Sequence, residues 1–507
     1  MLSRRTLLLA LLAAAPAAAA GRPKLVVVLT VDQLRYDYLE RFGKEYRGGI
    51  ARLLEEGAVF TNAHFEQAPT FTAVGHSVIF TGAFPSASGI VGNEWYDRKL
   101  KRQVTSVSDA SVALLGAPGS SAASPRRLLA PTVGDVLKRA GKSRVISMSL
   151  KDRSAILPGG RTADAAYWYD AQTGNVVSST YYMKELPAWV RRFNARRLVD
   201  QFAGRDWSPL TDGAPLLRLP AGGPEYFDRL TASPFGNDLL VELAQAAVRQ
   251  ERLGRGPGTD LLALSFSSND YVGHRWGPDS PHVRDITLRT DLLLADFLRF
   301  LEAEVGRQNL LVVLTSDHGV SPIPEELPAG RGGRITEKTV REAIEKRLAD
   351  RFGEGPWVIG RSGPAPYLDH ELARQRNVAL AALRREAAEA VRRLPGVARV
   401  YTAEELASGS GGDEIERRVR NGYHAERGPD LVPVAERFWV FGSERATHGS
   451  PHDYDAHVPV IFFGPGVRAG RHDRRIAVNA IAPTLAALLG LPAPDFSAGN
   501  PLAEVLR

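Results

Sequence analysis

The 507-residue chain predicts an α/β fold: a doubly wound, mostly parallel sheet flanked by helices. Three observations carry this. Five short apolar runs rich in Val, Leu and Ile, at 25–30, 144–149, 261–266, 310–315 and 458–463, show no polar alternation and read as strands buried on both faces. Helical patterns separate several of them, as an alternating sheet requires. Polar residues able to do chemistry follow four of the five.

The first run leads into Asp32, the second into Lys151 and Arg153, the third into Asp270 and His274, and the fourth into Asp317 and His318. All five are expected to be parallel; Pro459 stands at the start of the last, where a strand tolerates it. Between the third and fourth runs, Ser280-Pro281 provides an N-cap followed by Pro at the first helical position. Val283, Ile286, Leu293, Phe297 and Leu301 then recur at helical spacing, and Gly306 can end the helix. Two stretches break the rhythm. Residues 154–234 are rich in Trp, Tyr, Pro and Gly, and residues 323–437 hold a helical pattern of their own at 378–394. Both are expected to be insertions forming cap subdomains on one catalytic domain spanning 21–507.

Residues 1–20 have a short basic start, an apolar middle and a small-residue end with an Ala-x-Ala pattern. This predicts a secretory signal peptide, and Ser3-Arg4-Arg5-Thr6-Leu7 resembles a twin-arginine signal. The expected location is periplasmic or secreted, without a stable membrane anchor. With no cysteine, disulfides, thiolate metal sites and a cysteine nucleophile are excluded, so any metal must use His, Asp or Glu. The formal net charge of +7 is scattered, with no basic stripe, so nucleic acid is not expected as a specific partner.

In open α/β sheets ligands bind at the carboxyl ends of the strands. One Asp there could merely cap a helix; four strand ends delivering charged residues predict a shared site. Mixed carboxylate and imidazole ligands suit zinc or a similar metal. Asp32, Asp270, His274, Asp317 and His318, with a further histidine in Thr447-His448-Gly449-Ser450, divide into two sets of three. Two ions can clamp the attacking and leaving oxygens of a phosphoryl transfer. In Pro69-Thr70-Phe71-Thr72-Ala73-Val74-Gly75-His76, ahead of an apolar helical stretch, either threonine can present a hydroxyl to a helix N-terminus.

With these residues assembled, the chain resembles the alkaline phosphatase superfamily, and within it the phosphate-irrepressible alkaline phosphatases related to the nucleotide pyrophosphatase/phosphodiesterases. The matching stretches are Val31-Asp32-Gln33, Thr72-x2-Gly75-His76, Thr81-Gly82, Gly92-Asn93-Glu94-Trp95-Tyr96-Asp97, Lys151-Asp152-Arg153, Asp270-Tyr271-Val272-Gly273-His274, Ser316-Asp317-His318-Gly319, His448-Gly449 and the ending at 482–490. The resemblance implies two Zn2+ ions, one on Asp270, His274 and His448, the other on Asp32, Asp317 and His318. It selects Thr72 as nucleophile, four residues before His76, and a phosphothreonine intermediate. It implies that Asn93, Lys151 and Arg153 bind the phosphate oxygens of small-molecule esters, Lys151 and Arg153 as in the monoesterase branch. A phosphodiesterase on the same bimetal core is the nearest alternative. A secreted phosphate- or metal-binding protein without activity is the alternative of a different class. His76 is expected to be structural, and His452 and His457 are less favoured than His448 as ligands.

Overall fold

The structure, a computed structural model, describes residues 22–506 apart from 118, 120–122 and 410. The expected signal peptide at 1–20 lies outside the described residues. One sheet of eleven strands organises the chain. Its members are β1 (Leu25–Val31), β2 (Ala58–His64), β3 (Leu114–Leu115), β4 (Val145–Ser149), β5 (Ala165–Asp170), β6 (Asn175–Ser179), β7 (Asp260–Phe266), β8 (Leu310–Thr315), β9 (His457–Phe463), β10 (Gly470–His472) and β11 (Ile476–Ala477). Across the sheet the order is β10-β2-β9-β8-β1-β7-β4-β5-β6-β3, with β11 also on β2. β8, β1, β7, β4 and β5 are mutually parallel, so their carboxyl ends share one edge.

Strand pleating explains the absence of polar alternation. Leu25, Val27, Leu29 and Val31 enter the core on one face, and Val26 and Val28 enter the core on the other. The first face is covered by helices α1 (Gly49–Glu56), α5 (Pro234–Gln250) and α7 (Pro281–Val305). The second is covered by α2 (Thr72–Thr81), α3 (Val133–Ala140), α4 (Asp152–Gly159) and α11 (Ile481–Leu488). Helix α6 (Ser268–Trp276) follows β7 directly. The predicted α7 forms with the expected cap: the Ser280 hydroxyl accepts from Val283 N at 3.2 Å, and Gly306 ends the helix at φ 84°.

Two expectations need correcting. The last run, β9, is antiparallel to β8, not parallel. The chain leaves β8 at the carboxyl edge, builds a long excursion there and returns at the same edge, so β9 must run back down the sheet. A parallel strand would need a crossover to the far edge. A run buried on both faces reads alike in either direction, which is why the sequence does not reveal this. Pro459 coincides with a register shift against β2. The stretch 154–234 is also not wholly an insertion, because β5 and β6 within it extend the main sheet.

The excursion after β8 builds a satellite over 333–441 with its own core, including Ile344, Leu348, Trp357, Leu383 and Leu431. It carries α8 (Glu337–Phe352), α9 (Leu380–Arg392) and α10 (Glu414–Gly422) with three two-stranded sheets. Half-buried arginines hold it to the main unit: Arg98 pairs with the buried Asp430, and Arg427 donates to the carbonyls of Gly89 at 2.7 Å and Arg127 at 2.6 Å.

Helix α1 is capped from another element. Asp291 of α7 accepts from the backbone N–H groups of Arg47, Gly48, Ile50 and Ala51 at 2.7–3.1 Å. These are donors a helix start leaves unsatisfied. Asp291→Ala strands several buried N–H groups at once and is expected to cost about 2–4 kcal/mol, read as a lowered urea midpoint at unchanged slope. A loss below about 0.5 kcal/mol would show that the cap contributes little.

Candidate active site

The carboxyl edge of the parallel strands gathers the charged residues. Asp32 follows β1, Lys151 follows β4, α6 brings Asp270 and His274 just after β7, and Asp317 and His318 follow β8. The segment 447–450 crosses this edge on its return to β9 and adds His448. Asp32, Asp317 and His318 are fully buried, and Asp270 is 3% exposed. Ligand-type atoms of Asp32, Asp317 and His318 lie within 4.8 Å of one another, and so do those of Asp270, His318 and His448. His318 therefore stands between the two groups. His274 approaches the second group through Asp270, with Nε2 at 3.1 Å from Oδ1.

The three imidazoles share one arrangement. Nδ1 donates to a backbone carbonyl in each: His274 to Ala446 at 2.7 Å, His318 to Gly319 at 2.9 Å, His448 to Thr70 at 2.7 Å. A carbonyl can only accept, so each Nδ1 holds the proton and each Nε2 is directed at the carboxylates. This fixed tautomer is what a metal-ligating histidine requires. Burial, then the neighbouring His318 and His274, push His448 well below its usual range, and burial lowers His318. Both stay neutral with a free lone pair. Burial opposes a charge on His274, but Asp270 and Glu444, the latter 3.0 Å from Nδ1, raise it well above the ordinary value.

The carboxylates are under strain of charge. Burial, then the charges of Asp270 and Asp317, raise Asp32 well above the usual range against the pull of Lys151. Burial acts the same way on Asp270 and Asp317, but His274 and Lys151 hold the first, and His318 and His76 the second, well below it. The Lys151 ammonium bridges Asp32 at 2.7 Å and Asp270 at 2.5 Å. Even so, the buried Asp32 Oδ1 and Asp317 Oδ2 have no hydrogen-bond partner among the described residues. Such oxygens are costly unless a cation meets them. Three carboxylates, three directed imidazoles and two orphaned oxygens fit a divalent metal with oxygen and nitrogen ligands.

Thr72 begins α2, and its hydroxyl lies 3.3 Å from His318 Nε2. Thr70 is otherwise employed: its hydroxyl donates to Ser450 O at 2.9 Å and accepts from Gly449 N at 3.1 Å, tying down the His448 segment. Asn93 accepts from Ala73 N at 2.9 Å, leaving its amide nitrogen without a protein acceptor among the described residues. Lys151 sits inside the carboxylate cluster. Arg153 touches no member of it; its guanidinium lies 3.9 Å from Asp152. His452 and His457 spend Nε2 on the carbonyls of Ala435 and Thr61.

The chain matches the type I phosphodiesterase/nucleotide pyrophosphatase family over residues 26–457. It belongs to that family. Alkaline phosphatase PhoV of Synechococcus elongatus is 36% identical, covering 96% of this chain and 94% of its own. Alkaline phosphatase PafA of Elizabethkingia meningoseptica is 34% identical over 96% and 95%. A crystal structure of PafA superposes with a TM-score of 0.90 at 33% identity, covering 96% of this chain and all of that one. A Myroides odoratus protein named a calcium-transporting ATPase is 35% identical over similar coverage. The expected superfamily and fold are thus borne out, and the enzyme is a phosphomonoesterase of the alkaline phosphatase kind. No helix among its described residues is long and apolar enough to cross a membrane.

Four further residues support the cluster. Gln33, held at φ 67°, donates Nε2 to Asp270 Oδ1 at 2.6 Å, and its backbone N–H reaches Asp317 Oδ1 at 3.3 Å. Its place beside Asp32 was the available signal. Gly273 makes room for it, since a Cβ there would fall 1.6 Å from Gln33 Oε1. His76, expected to be structural, donates from Nδ1 to Thr72 O at 2.9 Å and so positions Thr72; the same Nδ1 lies 3.2 Å from Asp317 Oδ2. Glu444 gives no sequence signal.

Stripping divalent metal from the enzyme with a chelator is expected to lower its Tm, and restoring zinc to recover it. A site held a thousandfold above its Kd stabilises by about 4 kcal/mol. An unchanged Tm would mean that the cluster holds no stabilising cation.

Proposed function

We propose that the enzyme is an exported, two-zinc alkaline phosphatase that cleaves small-molecule phosphate monoesters through a phosphothreonine on Thr72. The observation that carries the reading is the convergence of three tautomer-locked imidazoles and three buried carboxylates beside a threonine at a helix N-terminus. Asp32, Asp317 and His318 would hold one zinc, and Asp270, His274 and His448 the other, with His318 on the boundary. When bound, the two ions would lower the barrier to deprotonating the nucleophile and stabilise charge on the leaving oxygen.

The chain's own groups account for the rest. Thr72 Oγ1 attacks phosphorus in line, the P–O bond to the alcohol breaks, and the phosphoryl group is held on Thr72. Water then attacks the phosphothreonine, restoring the hydroxyl and releasing inorganic phosphate. The N-terminus of α2 favours negative charge on the transferred group. The free Asn93 amide can donate to an equatorial oxygen. Lys151 is poised to exchange carboxylate for phosphate oxygens, and Arg153, unpaired by the cluster, is available to a monoester dianion. One solved form of PafA has a threonine, an asparagine, a lysine and an arginine substituted, the same four residue types as Thr72, Asn93, Lys151 and Arg153.

Acid quench of the enzyme during turnover should trap phosphate on the peptide containing Thr72, seen by mass spectrometry. Thr72→Ala should lower kcat/KM by at least about a thousandfold, the scale of removing a nucleophile, with zinc content unchanged. Full activity in Thr72→Ala with both ions bound would overturn the mechanism.

A further inference from the structure

We infer that Arg418, on the satellite helix α10, is a positioning residue for the metal site: it sets zinc affinity by fixing the segment that presents His448. The inference rests on His448 being a metal ligand.

Arg418 is only 2% exposed, among the largest fully buried side chains in the protein. Its Nη1 donates to the Pro451 carbonyl, three residues beyond His448. Nη2 lies 2.8 Å from Glu414, while Glu66 and Asp453 stand off at 3.9 and 3.8 Å. Nε and Nη2 find no acceptor in hydrogen-bond geometry among the described residues, and burial pushes the group below its usual pKa. A buried guanidinium satisfied this incompletely is a poor source of stability. An apolar side chain would dock α10 at less cost, so the charge serves something other than docking.

Its placement says what. The same helix grips the stretch leading to Thr72: Ala68 N donates to Arg418 O at 2.9 Å and Asn421 Nδ2 to Glu66 O at 2.6 Å. α10 lies so close that a Cβ on Gly422 would fall 1.6 Å from Ala68 O. From Ala68 the chain runs to Thr70, whose carbonyl receives His448 Nδ1 and whose hydroxyl holds Gly449 and Ser450. From His448 it runs to Pro451 and back to Arg418. The contacts form a closed ring through α10, the stretch 68–70 and the His448 segment. An open cleft of about 640 Å³ runs beside the ring, lined in part by Phe71, Gly449, Val434 and Trp439. Ser321 holds the segment at Thr447 O and Asp455 holds it at Ser450; from the satellite, His452 Nε2 reaches Ala435 O at 3.0 Å and Arg418 reaches the Pro451 carbonyl, the satellite contact nearest His448. Supporting groups of this kind typically change metal affinity by about 10–100-fold.

The test measures zinc binding at equilibrium against a chromophoric chelator, independent of turnover. Arg418→Met should bind one of its two zinc ions at least about tenfold more weakly and the other unchanged, with Arg418→Lys in between. Arg384→Met, which breaks the buried Arg384–Asp430 pair at 2.7 Å inside the satellite, should lower the Tm without weakening either ion. Wild-type affinity for both ions in Arg418→Met, or equal weakening in Arg384→Met, overturns the proposal. Should Arg418→Met not fold, Arg418→Lys carries the test, and an affinity within twofold of wild type overturns it. His448→Ala is the reference: it should lose the same ion, and its retention of both would sink the ligand assignment and the proposal with it.

Discussion

Three carboxylates, Asp32, Asp270 and Asp317, are buried within reach of one another at the end of a dry sheet, with one ammonium, Lys151, among them. Like charges at such range in low dielectric repel strongly. The structure around them answers that repulsion. The parallel strands deliver the acids to one edge, Gln33 donates to Asp270 and Asp317, and backbone carbonyls turn three imidazoles inward. What the polypeptide does not supply is enough positive charge, and two buried oxygens stay unpaired. A divalent metal would meet that need, and its charge, once bound, would offset the carboxylates and attract the dianion of a phosphate ester.

The topology follows from the need to close this edge. The satellite leaves from the site end of β8 and returns to it, so its last segment crosses the mouth of the site carrying His448 before β9 descends antiparallel. An element remote from the chemistry in sequence thus becomes part of its wall. The satellite's Arg418 and Arg427, with its Asp430 paired to Arg98, hold it in register with the segments bearing Asn93, Thr72 and His448.

Much of this is legible in the sequence because the chemistry sits at strand ends. Apolar runs followed by Asp or His mark Asp32, Asp270, Asp317 and His318, and the Ser280-Pro281 cap marks α7. Other features are carried by tertiary contacts and leave no local pattern. The direction of β9 depends on where the chain returns, and β5 is obscured by aromatic residues that suit a strand as well as an insertion. Gln33, Glu444 and Arg418 act through partners more than 150 residues away or, for Arg418, on another element, so no spacing announces them. Thr70 and Thr72 are alike in sequence; their surroundings differ because Thr70 is consumed by the His448 segment.

The central claim is that this charge arrangement serves a phosphate dianion. The direct measurement is kcat/KM on the zinc-loaded enzyme for p-nitrophenyl phosphate and bis-p-nitrophenyl phosphate, in wild type and in the double variant Lys151→Ala/Arg153→Ala. The account predicts a strong monoester preference that collapses when both cations are removed, because a diester has less charge for them to meet. A diester preference, or a monoester preference indifferent to the double substitution, would contradict it.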